Sequence, residues 1–309
     1  MNDRFDLIAL GAGSGGMAVA KQAAQLGKRV AIIEAGRLGG TCVNQGCVPK
    51  KIMWYAAQLA LAAHDAPGFG VQTAVQNINW RVLVEGRDRY VANINRNWEK
   101  TLNAAGITLI RGYGRFIDAH HIIVGDNIYQ GDHIAIATGG RPVLPAVPGA
   151  ELGITSDGFF QLHDQPRRVA IIGGGYVGVE LAGVLRSLGS EVTLLIKGDR
   201  VLYSFDPLLS STLMEEMTHQ GITILKDQVV HEVLRIEGGE TDPRVELALR
   251  IGNDERIGRF DCVIWAVGRR PNTESLDLSK AGIDVRTDGT VPVDEYLNTR
   301  TPGVYAVGD

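Results

Sequence analysis

The sequence predicts an α/β chain in which one plan is written twice: a parallel sheet with a glycine-rich first turn, carrying a small antiparallel β insertion. Three observations predict it. Gly11-Ala12-Gly13-Ser14-Gly15-Gly16 follows one apolar run, and Gly173-Gly174-Gly175-Tyr176-Val177-Gly178 follows another. Each hexapeptide opens a helical stretch that stops at a glycine and leads into a further apolar run. Each copy then closes alike, on Ile136-Ala137-Thr138-Gly139-Gly140-Arg141-Pro142 and on Trp265-Ala266-Val267-Gly268-Arg269-Arg270-Pro271.

The first copy starts with Phe5-Asp6-Leu7-Ile8-Ala9-Leu10 as a strand. Its helix stops at Gly27, where a glycine serves as a C-terminal cap, and its second strand is read over Arg29–Glu34. A helical segment is read over Lys50–Ala63. Short β-like runs follow at Ile107–Arg111, His121–Val124 and His133–Ala137. In the second copy the strand is Arg168-Val169-Ala170-Ile171-Ile172, and Val177, Leu181, Val184, Leu185 and Leu188 mark one apolar helix face ending at Gly189. Glu191–Ile196, Ile222–Lys226, Val229–Ile236 and Val245–Ile251 are its further strands, and Cys262–Val267 is one more apolar run. Pro142-Val143-Leu144-Pro145-Ala146-Val147-Pro148 reads as a linker. These readings place a first domain at 1–144 plus 271–309 and a second at 145–270.

A chain of 309 residues, 45% hydrophobic and 21% charged, is long enough for two ordinary cores and is not of disordered composition. Its net charge of -4 argues against a general nucleic-acid or membrane-surface binder. No run is long and apolar enough to span a bilayer, and no secretion signal precedes the first strand. The expectation is a cytoplasmic protein. Three cysteines are too few for a secreted disulfide scaffold.

The glycines have a physical reason. The turn must be tight, and backbone N–H groups must reach a pyrophosphate at the helix N-terminus, as in Rossmann-like dinucleotide-binding domains. An acidic residue about 20 positions on should then hold the adenosine ribose. Glu34 stands at that place in the first copy, which suits a free ribose 2′-hydroxyl, as in FAD or NAD. In the second copy the matching residue is Ile196, followed by Lys197 and then Arg200, which suits the 2′-phosphate of NADP. The bland alternative is that Lys197 and Arg200 are solvated loop charges. Gly178 completes a full G-x-G-x-x-G, which points the other way, so the choice between NADPH and NADH stays open here.

Cys42 and Cys47 are separated by four residues in Gly39-Gly40-Thr41-Cys42-Val43-Asn44-Gln45-Gly46-Cys47-Val48-Pro49-Lys50-Lys51. Two thiols at this spacing can form a small disulfide if the backbone bends. The helix that follows has a dipole that can favour a thiolate. No histidine or third cysteine follows at ligand spacing, so no metal site is expected. Cys262 reads as a small buried hydrophobe in a strand.

That segment resembles the active site of the pyridine nucleotide-disulfide oxidoreductases, which share Gly-Gly-Thr-Cys…Gly-Cys…Pro…Lys. Pro49-Lys50-Lys51-Ile52-Met53-Trp54 and Ser156-Asp157-Gly158-Phe159-Phe160 are most similar to the glutathione reductase branch. The resemblance covers Phe5 to Asp309, and Val304-Tyr305-Ala306-Val307-Gly308-Asp309 resembles the family's last FAD motif. It implies two cofactors. FAD contacts fall on Gly11, Gly13, Ser14, Gly15, Glu34, Thr41, Cys42, Lys50, Gly114, Thr138, Gly139 and Asp309. NADPH contacts fall on Gly173, Gly175, Tyr176, Val177, Gly178, Glu180, Lys197, Arg200 and Gly268, with Tyr176 as an aromatic gate over the nicotinamide.

The implied chemistry is reduction of oxidised glutathione. Electrons from NADPH, by way of FAD, open a Cys42–Cys47 disulfide. Cys47 is the thiol facing the flavin, Cys42 the one that attacks the substrate, and Lys50 pairs with Glu180. Ser14 and Lys21 are the implied substrate contacts, although Lys21 also reads as an ordinary exposed helix lysine. Trp98 stands where many members have a tyrosine. The family continues past the Gly308-Asp309 position into a dimer-interface domain that supplies an acid/base histidine and its glutamate partner. His64, His120, His121, His133, His163, His219 and His231 do not match that motif, so the chain is read as truncated and the full-length protein as a homodimer. Two alternatives stay open: a related reductase of the dihydrolipoamide dehydrogenase type, and a non-catalytic FAD- and NADPH-binding fragment.

Overall fold

A computed structural model describes residues 3–236, 246–251 and 255–309. In chain order the first elements are β1 (Asp3–Leu10), α1 (Ser14–Gln25), β2 (Val30–Glu34), α2 (Gly40–Gln45), α3 (Cys47–Asp65) and α4 (Trp80–Ala104). Next come β3 (Thr108–Arg111), β4 (Gly114–Phe116), β5 (His121–Val124), β6 (Asn127–Ile136) and β7 (Gly140–Pro142). Then follow β8 (Ile154–Thr155), α5 (Ser156–Phe159), β9 (Arg168–Ile172), α6 (Tyr176–Ser187), β10 (Glu191–Leu195), α7 (Pro207–His219) and β11 (Thr223–Leu225). The last are β12 (Val230–Ile236), β13 (Glu246–Ile251), β14 (Glu255–Phe260), β15 (Cys262–Trp265), β16 (Arg269–Pro271) and β17 (Val304–Ala306). Val245, the start of one predicted run, lies outside the described residues.

The chain divides into two compact units, Met1–Pro49 with Asp88–Arg141 and Arg269–Asp309, and Lys50–Arg87 with Pro142–Gly268. The stretch 50–87, which sequence reading left with the first domain, packs in the second: Met53, Ala57, Trp80 and Val84 share a core with Phe159, Leu181 and Ile264. The chain passes between units next to the ribbon of β7 and β16, so the two similar closing sequences pair with each other. Arg141 donates to the Pro271 carbonyl and to Asn272 Oδ1 there, and Arg269 donates to the Gly140 carbonyl.

In the first unit the strand order is β3-β2-β1-β6-β5-β4. β1, β2, β3 and β6 run parallel, and β17 joins the end of β6, also in parallel. The antiparallel β4 and β5 dock on the start of β6. Both faces of this sheet are covered, which is why its strands read as near-continuous apolar runs. Ile8, Leu10, Ile33 and Ile136 face one core. Leu7, Ala9, Ile32 and Ala135 face the other, beneath α1 and α4.

In the second unit the parallel sheet is β11-β10-β9-β15-β8, and β12, β13 and β14 form a separate antiparallel sheet. Val169, Ile171, Leu194 and Ile264 face one core, and Ala170, Ile172, Leu195 and Val263 face the other. The five parallel strands of the two units correspond in order. Their fifth strand differs in origin: β17 comes last in its unit, whereas β8 comes first in its own. The predicted runs Ile107–Arg111 and Ile222–Lys226 are accordingly parallel strands of the main sheets rather than parts of the insertions.

Candidate functional site

The first glycine turn is a cradle built for backbone contact. Gly11 sits at φ +105, and a Cβ there would come 2.3 Å from the Ala137 carbonyl oxygen. A Cβ on Gly16 would come 1.9 Å from the Gly11 carbonyl oxygen, so helix and strand can pack this closely only without a side chain. Gly13 caps α1, no side chain caps the helix, and no acid lies in its first turn. Its first N–H groups are therefore open to an anion. Glu34 ends β2, where its Oε2 accepts from Ala12 N at 2.7 Å and its Oε1 from Gly36 N at 2.6 Å. Each oxygen keeps acceptor capacity for a ribose hydroxyl.

The cysteine segment presses against this turn. Gly39 N donates to the Ala12 carbonyl at 2.8 Å. Gly40, at φ +59, has no room for a Cβ, which would lie 2.7 Å from Gly13 Cα. Cys42 then lies half-buried in α2, and Cys47 is exposed as the first residue of α3; both are thiols in this structure. Gly46 makes the bend between them, with its Cβ position 2.9 Å from the Thr41 carbonyl oxygen and 3.4 Å from Cys42 Cα. A close approach of this kind is what a short loop needs if its two cysteines are to pair. Helix α3 starts three residues before the predicted Lys50. Pro49 is its third residue, where the missing N–H would have had no partner.

The chain's end returns to the same place. Val307 N donates to the Ile136 carbonyl at 2.9 Å, and a Cβ on Gly15 would meet Val307 Cγ1 at 3.2 Å. A cavity of 170 Å³ is lined by Thr138, Gly139 and Asp309, together with Thr273 and Thr290. Gly11, Gly13, Gly15, Glu34 and Thr138 thus sit around one turn, with Ser14 and Thr41 exposed beside it, while Gly139 and Asp309 line the cavity. Gly114 is placed by packing: a Cβ there would meet Ile122, Leu10 and Ile33 side chains at 3.0–3.1 Å. Lys21 holds its Nζ 5.4 Å from the centre of the Trp98 ring, a cation–π contact that spacing alone did not predict.

The second turn repeats the close approaches of the first. Gly173 sits at φ +124 with its Cβ position 2.2 Å from the Ala266 carbonyl oxygen, and that of Gly178 lies 2.0 Å from the Gly173 carbonyl oxygen. Gly173 N donates to Leu195 O as Gly11 N does to Ile33 O, so Ile196 is the structural counterpart of Glu34. Gly175 caps α6 without a side-chain cap. Ile196 is buried, so its place offers no ribose acceptor. Lys197 is exposed, and Arg200 donates through Nη2 to the Tyr203 carbonyl at 3.1 Å. Tyr176 opens α6, exposed, and Val177 beside it is half-buried. Gly268 has φ +137 at the end of the run after β15. One turn beyond Tyr176, Glu180 meets Lys50 at 2.6 Å with both groups partly exposed. Such a pair adds little stability, so its value is in fixing where the Lys50 ammonium lies.

Asn44 and Asn272 were not marked by the sequence as residues of the site. Asn272 donates through Nδ2 to the Thr138 carbonyl at 3.0 Å and through N to the Gly139 carbonyl at 2.8 Å, holding the end of the first sheet. The Ser156–Phe160 run is structural: Phe159 is fully buried, and the buried Arg87 donates to the Phe160 carbonyl at 2.8 Å. Among the described residues no group of three or more potential ligands could hold a metal ion.

Comparison with known proteins follows the same lines. A family model for pyridine nucleotide-disulphide oxidoreductase matches residues 5–309. The chain is 40% identical to glutathione reductase of Nostoc sp. over 99% of this chain and 67% of the relative. It is 40% identical to glutathione reductase of Schizosaccharomyces pombe over 99% of this chain and 66% of that one. Among solved structures it is similar to a Cu(II) complex of the HOCl-induced flavoprotein disulfide reductase RclA from Escherichia coli. There the TM-score is 0.88 at 28% identity, over 100% of this chain and 66% of the other. The chain therefore spans about two thirds of the length of the proteins it matches.

Proposed function

This chain belongs to the pyridine nucleotide-disulphide oxidoreductase family, and from that premise we propose that it is the FAD- and NADPH-binding part of a glutathione reductase. The observation that carries the reading is the contact between the cysteine segment and the first dinucleotide turn, Gly40 against Gly13. FAD and NADPH, when bound, supply hydride and electron transfer. The chain's residues hold them: the N-terminal N–H groups of α1 and α6 take the two pyrophosphates, and Glu34 takes the FAD ribose. Asp309, Thr138 and Gly139 line one cavity, which supports reading them as further contacts of FAD. Lys197, exposed beside the buried Ile196, receives the 2′-phosphate of NADPH, and Tyr176 shields the nicotinamide.

The thiol chemistry is Cys42 and Cys47 acting in turn. Cys42 as thiolate attacks one sulfur of oxidised glutathione, forming a mixed disulfide and releasing one glutathione. Cys47 then attacks Cys42 Sγ, closing the Cys42–Cys47 disulfide and releasing the second. Two electrons leave the dithiol and two glutathiones gain them. Lys21, poised on the Trp98 ring, and Ser14 at the start of α1 serve the substrate's carboxylates and backbone. The reading carries with it a homodimeric whole protein of the cytoplasm with no nucleic-acid or membrane role. The net charge of -4 supports the first of those exclusions. No helix among the described residues is long and apolar enough to cross a membrane.

A single-turnover assay tests the substrate. The FAD-loaded chain, reduced and freed of excess reductant, is expected to convert one oxidised glutathione to two glutathiones while leaving oxidised lipoamide untouched. Reoxidation by lipoamide but not by oxidised glutathione would overturn the glutathione assignment.

A further inference from the structure

We propose that Asn44 and Asn95 are a pair of positioning residues that hold α2 in the conformation that brings Cys42 and Cys47 within disulfide reach. Helix α2 has six residues, too few to be stable in isolation. Its buried side chains are Val43 and Asn44, and of these Asn44 alone can tie it to other segments by side-chain hydrogen bonds. Asn44 stands between the cysteines and donates through Nδ2 to the Gly40 carbonyl at 2.9 Å and to the Leu38 carbonyl at 3.0 Å. These carbonyls flank the left-handed Gly39, which caps the helix without a side-chain hydrogen bond. Asn95, on α4, donates to the same Leu38 carbonyl at 2.8 Å and to Asn44 Oδ1 at 3.1 Å. The two amides tie the loop before the first cysteine to a 25-residue helix.

The consequence concerns the dithiol/disulfide equilibrium. Forming the disulfide takes both thiol hydrogens and two electrons from Cys42 and Cys47, and oxidised dithiothreitol accepts them to become the dithiol. The closer the fold holds the two sulfurs, the more the closed form is favoured. With the clamp removed, the Leu38 and Gly40 carbonyls lose these side-chain donors, and α2 keeps Val43 and the contacts of Gly39 and Gly40 with the first turn. The proposal concerns geometry within one unit and rests on the reading of Cys42 and Cys47 as a redox pair.

The test equilibrates the purified chain with fixed ratios of oxidised to reduced dithiothreitol and counts trapped thiols. Asn44→Asp keeps the shape of the side chain and removes its N–H donors; Asn95→Ala removes the outer half of the clamp. Both are expected to lower the ratio of disulfide to dithiol by about tenfold, equivalent to about 30 mV for a two-electron couple. Asn97→Ala, an exposed position on the same helix, is expected to match the parent chain. Thermal unfolding of each variant verifies the fold, and if Asn44→Asp does not fold, Asn95→Ala decides. A parent-like ratio in the folded variants would overturn the proposal. A parent chain that forms no Cys42–Cys47 disulfide at any ratio would instead overturn the redox-pair reading on which it rests.

Discussion

Cys262 lies buried in β15, next to the carboxylate of Asp261, which accepts from Arg168 N and Arg167 N. Burial, and then the neighbouring Asp261 charge, push its thiol up to about 12. At pH 8 it is therefore protonated, and the thiolate is the species that reacts. The reduced, folded chain is expected to show two thiols that react with iodoacetamide at pH 8, the exposed Cys47 and the half-buried Cys42, and a third only after unfolding. Peptide mapping of the labelled chain checks this, and rapid modification of Cys262 in the folded chain would contradict it. At this scale the sequence was legible where chemistry is local. The spacing of Cys42 and Cys47 and the two glycine turns are read from a few adjacent residues. Asn95 was not legible because its partner lies 51 positions away in the chain. Lys21 was an even choice between substrate contact and surface charge, and its Trp98 contact follows from the packing of α1 against α4.

Helix α6 contains two glycines with opposite roles. A Cβ on Gly178 would fall 2.0 Å from the Gly173 carbonyl oxygen, whereas one on Gly183 would meet nothing within 4 Å. Gly178→Ala is expected to destabilise the second unit by about 3 kcal/mol through overpacking and to weaken NADPH binding. Gly183→Ala is expected to stabilise it by about 1 kcal/mol, because alanine loses less backbone entropy in a helix. Denaturant unfolding of the two variants measures both, and equal stability would contradict the packing account. Helix stops were readable from Gly27 and Gly189, which are left-handed at φ +74 and +100. What was not readable is which β runs join a sheet in parallel and which in antiparallel pairing. Ile107–Arg111 and His121–Val124 look alike as short apolar runs. Only the first packs in parallel beside β2, because strand partnership is set by burial of both faces and not by local composition.

At the scale of the whole molecule, one architecture appears twice with one decisive substitution. The same hydrogen bond, Gly11 to Ile33 and Gly173 to Leu195, aligns Glu34 with Ile196. On the proposed reading, an acid at that place in one unit, and a buried aliphatic followed by Lys197 in the other, divide the labour between two nucleotides. This comparison was legible from the sequence because the register is kept to the residue. The grouping of 50–87 with the second unit was not, since it depends on Met53, Ala57, Trp80 and Val84 finding a core more than 70 residues away. On the proposed reading, electrons from NADPH reach Cys42 and Cys47 through bound FAD. Anaerobic titration of the FAD-loaded, oxidised chain with NADPH, and separately with NADH, tests it most directly, with thiols counted after each addition. Two new thiols per flavin are expected, lost in a Cys47→Ser variant, at lower concentrations of NADPH than of NADH. Flavin reduction with no new thiols would contradict it.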